Sequence, residues 1–175
     1  MKRIAVLLAL LLALTSLSAL PALATESVRA HTPLTGSTSA RLSNVKLAAA
    51  AIDGTRVDYG ESFSFNDLVG PRTARYDYKS AINGRGVKVV GGGVAQVASC
   101  MYLAIRNLDC VRITEKSTYG SSYSQSYVQS SKDAILVDYK NDTDFCFRYT
   151  GDGTLTIYTY LDGAEIVCDV YESFY

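Results

Sequence analysis

The sequence predicts an α+β domain with two helices and a β-rich C-terminal antiparallel meander. Two apolar segments with helical spacing lie at residues 45–52 and 94–105. The last third of the chain instead contains short runs of β-branched and aromatic residues, separated by turn-forming pairs such as Asp162-Gly163. A chain of 175 residues with these elements is large enough for a single domain with its own core.

Residues 1–24 have the three parts of a signal peptide. Lys2 and Arg3 supply the positive start, residues 4–14 are apolar, and Ala22-Leu23-Ala24 forms a small-residue cleavage site. A membrane anchor is the alternative, but the apolar stretch is short for a bilayer span and no cysteine directly follows it for lipid attachment. We therefore expect a secreted or extracytoplasmic protein of the cell envelope, with no stable membrane anchor after cleavage.

Charge and cysteine content argue against several classes of function. Cleavage would remove two cations and no acidic residue, which leaves a formal net charge of −2 and no basic excess for binding nucleic acid. The four cysteines Cys100, Cys110, Cys146 and Cys168 permit two disulfides in an exported protein, and buried free thiols are equally compatible with the sequence. Because His31 is the single histidine and no C-x-x-C occurs, we expect no metal site and no cofactor.

The N-terminal half contains the first predicted helix. Residues 25–42 are polar and rich in turn formers, which predicts an extended lead-in. Ser43 or Asn44 is placed to cap a helix over residues 45–52. Residues 55–65 alternate in the manner of a strand or hairpin.

The second half combines one helix with several strands. Asn83-Gly84 within residues 82–90 is a strong signal for a two-residue hairpin turn. Residues 94–105 suit a largely buried helix, and residues 110–114 alternate as a strand. The strands of the predicted meander are residues 134–140, 145–150, 154–161 and 165–171.

The most informative segment is Gly91-Gly92-Gly93, which opens directly onto the second helix. Only glycine lets the backbone adopt a positive φ readily or pass close to another surface. Such a turn presents the residues at the helix start among free N–H groups, where the pKa of a thiol would be lowered. Ala95 occupies that position and carries no reactive group.

A tyrosine-rich segment follows at residues 117–131, with Tyr119, Tyr123 and Tyr127 spaced four residues apart. One interpretation is that these rings stack on a ligand, because tyrosine combines a flat apolar face with a hydroxyl group. The alternatives are an exposed loop, or tyrosines that simply cover the core.

Several linked motifs resemble the VanW family of exported Gram-positive proteins. They are G-E-S-F-S-F-N-D-L-V-G-P-R-T from Gly60, Y-K-S-A from Tyr78, the triple glycine with Gln96, S-Y-V from Ser126 and N-D-T-D from Asn141. On this basis residues 43–171 are identified as a VanW-like domain. The resemblance implies a bacterial cell-envelope protein associated with peptidoglycan, and it implies no particular catalytic activity.

Two departures from the family pattern suggest a pseudoenzyme. Family members usually carry G-G-G-x-C-Q-x-S-T, and this chain has Ala95 in place of the cysteine. The family's H-x-H aligns near Tyr119 and Ser121, neither of which is histidine. A cysteine at a helix start with a nearby histidine is the usual arrangement for thiol catalysis, so both partners of such a site would be replaced here.

The resulting prediction is a non-catalytic module that binds peptidoglycan or an envelope protein. The predicted ligand-binding residues are Gly91, Gly92, Gly93, Gln96, Tyr119 and Tyr123. The alternative is an enzyme that cleaves cell-wall peptide or amide bonds through Cys100 or without a thiol, with Gln96 and helix N–H groups orienting a carbonyl. Cys100 lies about 140° around the helix and ~7.5 Å along its axis from Ala95, which separates it from the helix start. A third alternative is a diverged chain with no separate role.

Overall fold

The computed structural model describes residues 26–174, and the predicted signal peptide lies outside the described residues. The strands are β1 (Glu26–Pro33), β2 (Thr55–Asp58), β3 (Ser62–Ser64), β4 (Ser80–Ile82), β5 (Lys88–Val90), β6 (Val111–Thr118), β7 (Ile135–Leu136), β8 (Phe145–Tyr149), β9 (Thr154–Asp162) and β10 (Glu165–Ser173). The helices are α1 (Ser39–Ile52), α2 (Phe65–Val69) and α3 (Val94–Ile105). Within residues 26–174, none of these helices is long and apolar enough to cross a membrane.

Two antiparallel sheets form the framework of the domain. The first sheet has the strand order β1-β10-β9-β2, and the second has the order β3-β8-β6-β7. The hairpin of β4 and β5 stands apart from both sheets, and its loop spans residues 83–87 and is longer than the two-residue turn predicted at Asn83-Gly84. Helices combined with purely antiparallel pairing confirm the predicted α+β class.

Helix α3 is the central element of the core. It contacts β1 and β10 of the first sheet, β7 of the second sheet, and helix α1. Val97, Met101 and Ile105 recur every four residues along α3 and are completely buried. Burial of each such side chain contributes about 1.5–3 kcal/mol to the stability of the fold. This packing holds the start of α3 in a fixed position relative to both sheets.

The first helix begins earlier than the sequence predicts. Its cap is Thr38, whose Oγ1 accepts a hydrogen bond from the backbone N–H of Arg41 at 3.3 Å. Asn44, a predicted cap, therefore lies inside α1, and its amide is free to bond elsewhere. Within the predicted extended lead-in over residues 25–42, residues 26–33 are extended as β1 and pair with β10, whereas residues 39–42 already belong to α1.

The C-terminal strands are antiparallel as predicted, but they are divided between the two sheets. β9 pairs with β10, whereas β8 pairs with β3 and β6. The chain changes sheets between Gly151 and Gly153, where a Cβ would overlap Glu172 and the main chain of Ser173 respectively. Residues 55–65, predicted as a strand or hairpin, form β2 and β3, which join different sheets and do not pair as a hairpin. Of the strand predicted at residues 134–140, the two-residue strand β7 is present.

Helix α2 was missed because it is too short to show a helical period. Ser64 caps it, since its Oγ accepts a hydrogen bond from the N–H of Asp67 at 3.0 Å. Gly70 ends it with a positive φ of 66°. The structure therefore has one α-helix more than the two that the sequence predicts.

Candidate functional site

The triglycine turn has the backbone geometry that the sequence predicts. Gly91 and Gly93 have positive φ angles of 82° and 107°, a region that other residues rarely adopt. Gly92 lies against β4, where a Cβ would overlap the carbonyl oxygen of Ala81. Gly93 caps α3 without help from any side chain, and the turn satisfies part of the helix start itself, because the N–H groups of Val94 and Gln96 donate to the carbonyls of Gly91 and Gly93 at 3.2 and 3.0 Å.

Asn44 fixes this turn from the side of helix α1. Its Nδ2 donates to the carbonyls of Lys79 and Gly92 at 2.8 and 2.9 Å, and its Oδ1 accepts from the N–H of Lys79 at 2.8 Å. The side chain is fully buried, so water does not compete for these bonds. One amide thus joins α1, the residue directly before β4 and the triglycine turn.

A cavity of about 650 Å³ lies beside the turn. Its wall is formed by residues 71–73, Asn83 and Arg85 of the hairpin loop, Val89 and Val90 of β5, residues 91–95, Tyr119, and residues 136–141. Concave sites of this volume are typical of small-molecule and peptide ligands. The triglycine turn that the sequence singled out therefore forms one wall of a cavity.

Ala95 and Tyr119 line this same cavity. They are the positions at which the family pattern has cysteine and histidine, so the structure brings together the two segments that the sequence linked only through that pattern. The ring of Tyr119 lies flat against Gly84, where a Cβ would come within 2.6 Å of Cζ. Burial raises the pKa of Tyr119, so its hydroxyl is neutral at physiological pH and acts as a hydrogen-bonding group.

The charged groups of the cavity favour an anion. Arg72, Arg85 and Lys140 line it, opposed by the carboxylate of Asp138. That carboxylate accepts bonds from the N–H of Lys140 at 3.1 Å and from Nδ2 of Asn141 at 2.7 Å. Asp138 thus holds its own turn, and the three cations of the cavity wall outnumber this one carboxylate.

Arg72 is a cation of the cavity wall with unsatisfied hydrogen-bond donors. Its guanidinium lies between the rings of Phe65 and Tyr139, with Cζ 5.7 and 5.8 Å from the two centroids. Nη1 and Nη2 are both buried and have no hydrogen-bond partner among the described residues. Burial lowers the pKa of Arg72, and no carboxylate within residues 26–174 forms a salt bridge with its guanidinium.

Gln96 does not face the cavity, which corrects its prediction as a ligand-binding residue. It is buried, and its Nε2 donates to Thr32 Oγ1 at 3.1 Å and to the carbonyl of Pro33 at 2.8 Å. Its Oε1 accepts from Nη2 of Arg41 at 2.8 Å. Gln96 therefore ties α3 to β1 and α1, and it acts on the site only by positioning the helix.

The other predicted residues of the tyrosine segment lie away from the cavity wall. Tyr123 is 43% exposed and Ser121 is exposed, and neither lines the cavity. Tyr127 packs beside Arg41, with Cζ 6.0 Å from the ring centroid, and burial raises its pKa. Of the three tyrosines, Tyr119 alone lines this cavity within the described residues.

Cys100 is unsuited to the nucleophilic role that the alternative function requires. Its Sγ is buried and donates to the carbonyls of Ala30 and Ile166 at 3.5 and 3.4 Å, on the side of α3 that faces β1 and β10. Burial raises the pKa of Cys100 to about 12, so the thiolate is not formed at neutral pH. Cys146 and Cys168 are also thiols within residues 26–174 and form no disulfide there.

Sequence reasoning missed the cationic part of the site. Arg72 carried a signal, because it falls inside the G-P-R-T motif directly after a helix-ending glycine. Arg85 and Lys140 carried none, since isolated surface cations occur throughout the chain. No group of side chains able to hold a metal ion occurs within residues 26–174.

The comparisons with known proteins agree with the motifs. The family model described as VanW like protein matches residues 40–171. The uncharacterised protein YoaR of Bacillus subtilis (strain 168) is 32% identical over 140 residues, which are 78% of this chain and 45% of YoaR. The chain therefore spans less than half of the length of that relative. No solved structure matches the chain. The family match covers most of the chain, including both walls of the cavity, and the chain belongs to the VanW family.

Proposed function

We propose that this chain is an exported cell-envelope protein that binds peptidoglycan through the cavity at the triglycine turn and performs no thiol catalysis. The observation that carries the proposal is that Ala95 and Tyr119 share one cavity. The cavity is present, while the two positions at which the family pattern has a thiol and an imidazole hold side chains without that chemistry. A cavity without those reactive groups is suited to binding.

The charge of the cavity supports peptidoglycan as the ligand. The stem peptides of peptidoglycan end in free carboxylates, and the cavity contains three cations against one carboxylate that is already bonded. A carboxylate that enters a partly enclosed site beside Arg72 is attracted more strongly than it would be in bulk water. The export step of the proposal rests on the signal-peptide pattern of residues 1–24.

A non-thiol enzyme would need a general base in the cavity. Asp138 is the only carboxylate among the described lining residues, and three hydrogen bonds from residues 140–141 hold it in its turn. Tyr119 is a weak candidate because burial raises its pKa. Binding is therefore a better match for the geometry than catalysis.

Co-sedimentation with purified peptidoglycan sacculi tests the proposal. The double variant Arg85→Ala/Lys140→Ala removes two exposed cations from the cavity wall. The matched control Lys46→Ala/Arg75→Ala removes two exposed cations elsewhere. Because each exposed charge contributes up to about 1 kcal/mol, we expect the cavity variant to bind about three- to tenfold more weakly and the control to bind as the wild type does.

Two results would contradict the proposal. One is that the wild-type protein stays in the supernatant at physiological salt, or that the cavity variant and the control variant sediment to the same extent. The other is release of soluble muropeptides or new amino groups from sacculi by the wild-type protein. Ala95→Leu, which narrows the cavity, is a second probe, and Ala50→Leu on the exposed face of α1 is its control.

A further inference from the structure

The hairpin beside the cavity has one unpaired edge. The N–H of Gly91 donates to the carbonyl of Lys79 at 3.0 Å, which makes these two residues a hydrogen-bonded pair of the antiparallel ladder. Val90 lies opposite Ser80 in the next, non-hydrogen-bonded position. The main-chain N–H and C=O groups of Val90 therefore point away from β4, and those of Lys88, two residues earlier, point in the same direction.

No strand within residues 26–174 pairs with that side of β5. Lys88 is exposed and Val90 is 40% exposed, so solvent reaches this edge. An accessible strand edge with free donors and acceptors is a template for another extended chain. The opposite side of the hairpin is covered, because Asn44 and Arg41 of α1 bond to the main chain at and beside β4.

The free edge of β5 borders the cavity. Val89 and Val90 both line it, although successive side chains of a strand point to opposite faces. Two neighbouring residues reach the same cavity when the cavity meets the strand at its edge. The edge leads directly into Gly91, whose Cα hydrogens face the stem of Arg72, where a Cβ would come within 2.6 Å of the arginine Cβ.

We infer that the cavity takes an extended peptide that pairs with the free edge of β5 and directs its terminal carboxylate toward Arg72 and the triglycine turn. Because β5 runs toward that turn, the bound peptide runs parallel to it. The unpaired edge recognises the peptide backbone, and the cations of the wall, of which Arg85 and Lys140 are exposed, attract the carboxylate. This inference rests on the proposed function and narrows the ligand to the peptide part of peptidoglycan, as opposed to its glycan.

Binding of a fluorescein-labelled tetra-alanine with a free carboxyl terminus, followed by fluorescence anisotropy, tests the inference. We expect replacement of the carboxylate by an amide to weaken binding at least fivefold. Neighbouring N–H groups of an extended peptide point in opposite directions, so only one of the second and third amide nitrogens faces β5. Methylation of that nitrogen should lower the affinity of the peptide more than methylation of the other. One methylated peptide should bind at least tenfold more weakly than the other.

Val90→Pro examines the same contact from the side of the protein. Proline removes the outward N–H, which takes no part in the ladder with β4, so the hairpin is expected to fold. Val90→Ala is the control, because it shortens the side chain and keeps the N–H. We expect at least a fivefold loss of peptide affinity for Val90→Pro and less than a twofold change for Val90→Ala, with circular dichroism confirming that both are folded.

Equal binding of acid and amide peptides, or equal effects of the two methylations, would overturn the inference even if Val90→Pro failed to fold. Such a result together with charge-dependent sedimentation of sacculi would leave the proposed function intact, with a mode of binding that does not use the edge of β5. Peptide binding with the expected pattern but no sedimentation of sacculi would instead overturn peptidoglycan as the ligand and keep the peptide site.

Discussion

Asn44→Ala should destabilise the protein by about 2.5–4 kcal/mol. The variant loses three hydrogen bonds of 2.8–2.9 Å at a fully buried position and leaves the N–H and C=O of Lys79 and the C=O of Gly92 without that partner. Each buried bond contributes about 1 kcal/mol net, and a polar group left unsatisfied costs about 1–3 kcal/mol. Alanine is a better helix former than asparagine by about 0.6 kcal/mol, which offsets part of this loss.

Equilibrium unfolding in urea measures the change directly. Asn107→Ala is the matched control, because Asn107 is exposed and its replacement should alter the free energy of unfolding by less than about 0.5 kcal/mol. Since small domains are stable by about 5–15 kcal/mol, the Asn44 variant should still fold and give a measurable transition. A loss below about 1 kcal/mol would refute the reasoning that this single amide holds the triglycine turn in place.

Three further predictions concern other parts of the fold. Iodoacetamide at pH 8 should leave Cys100 unmodified in the folded protein and modify it in urea, because burial raises its pKa to about 12. Mass spectrometry of the peptides measures the modification, and alkylation of Cys100 in the folded protein would contradict the prediction. Gly92→Ala should destabilise by about 1–3 kcal/mol more than Gly86→Ala, since only the former meets a backbone carbonyl; equal urea midpoints would contradict this. Arg29 bonds to Asp169 at 2.6 and 2.8 Å and lowers its pKa, so this pair stabilises the fold above about pH 4, and the stabilisation is lost as the pH falls through the lowered pKa. In the Arg29→Met variant the free energy of unfolding should therefore fall less steeply between neutral and acid pH than in the wild type. The same pH dependence in both proteins would contradict a stabilising role for the Arg29–Asp169 pair.

The helices and strands that sequence analysis predicted correctly are those with strong local signals. Residues 94–105 were predicted as a buried helix and form α3 with the same bounds, because the apolar spacing and the glycine turn before it agree. A hairpin is also present at residues 80–90, although its loop covers residues 83–87 and Asn83-Gly84 is not a two-residue turn. Helix α2 gave no signal because five residues are too few for a periodic pattern, and Thr38 was overlooked as a cap because the helix signal near residue 45 was stronger.

For the candidate site, the sequence predicted several residues of the cavity wall and missed its cations. Gly91, Gly92, Gly93, Ala95 and Tyr119 were singled out from the motifs, and all five line the cavity. Gln96 follows the glycines in the motif, but the side chain at that helical position turns toward the first sheet, where β1 and α1 saturate its amide. Which face of a helix a residue presents depends on what packs around it, and motif spacing does not contain that information.

The sequence by itself determined the antiparallel α+β class, the position of the triglycine turn and the membership of the VanW family, because these depend on local propensities and on motifs that are continuous in the chain. The tertiary structure decided which strands share a sheet and placed Arg72, Arg85 and Lys140 around one cavity. Strand pairing and convergence of distant side chains are set by burial of the whole core, and several pairings satisfy the same alternating pattern. The unpaired edge of β5 and the unsatisfied guanidinium of Arg72 follow from that packing alone.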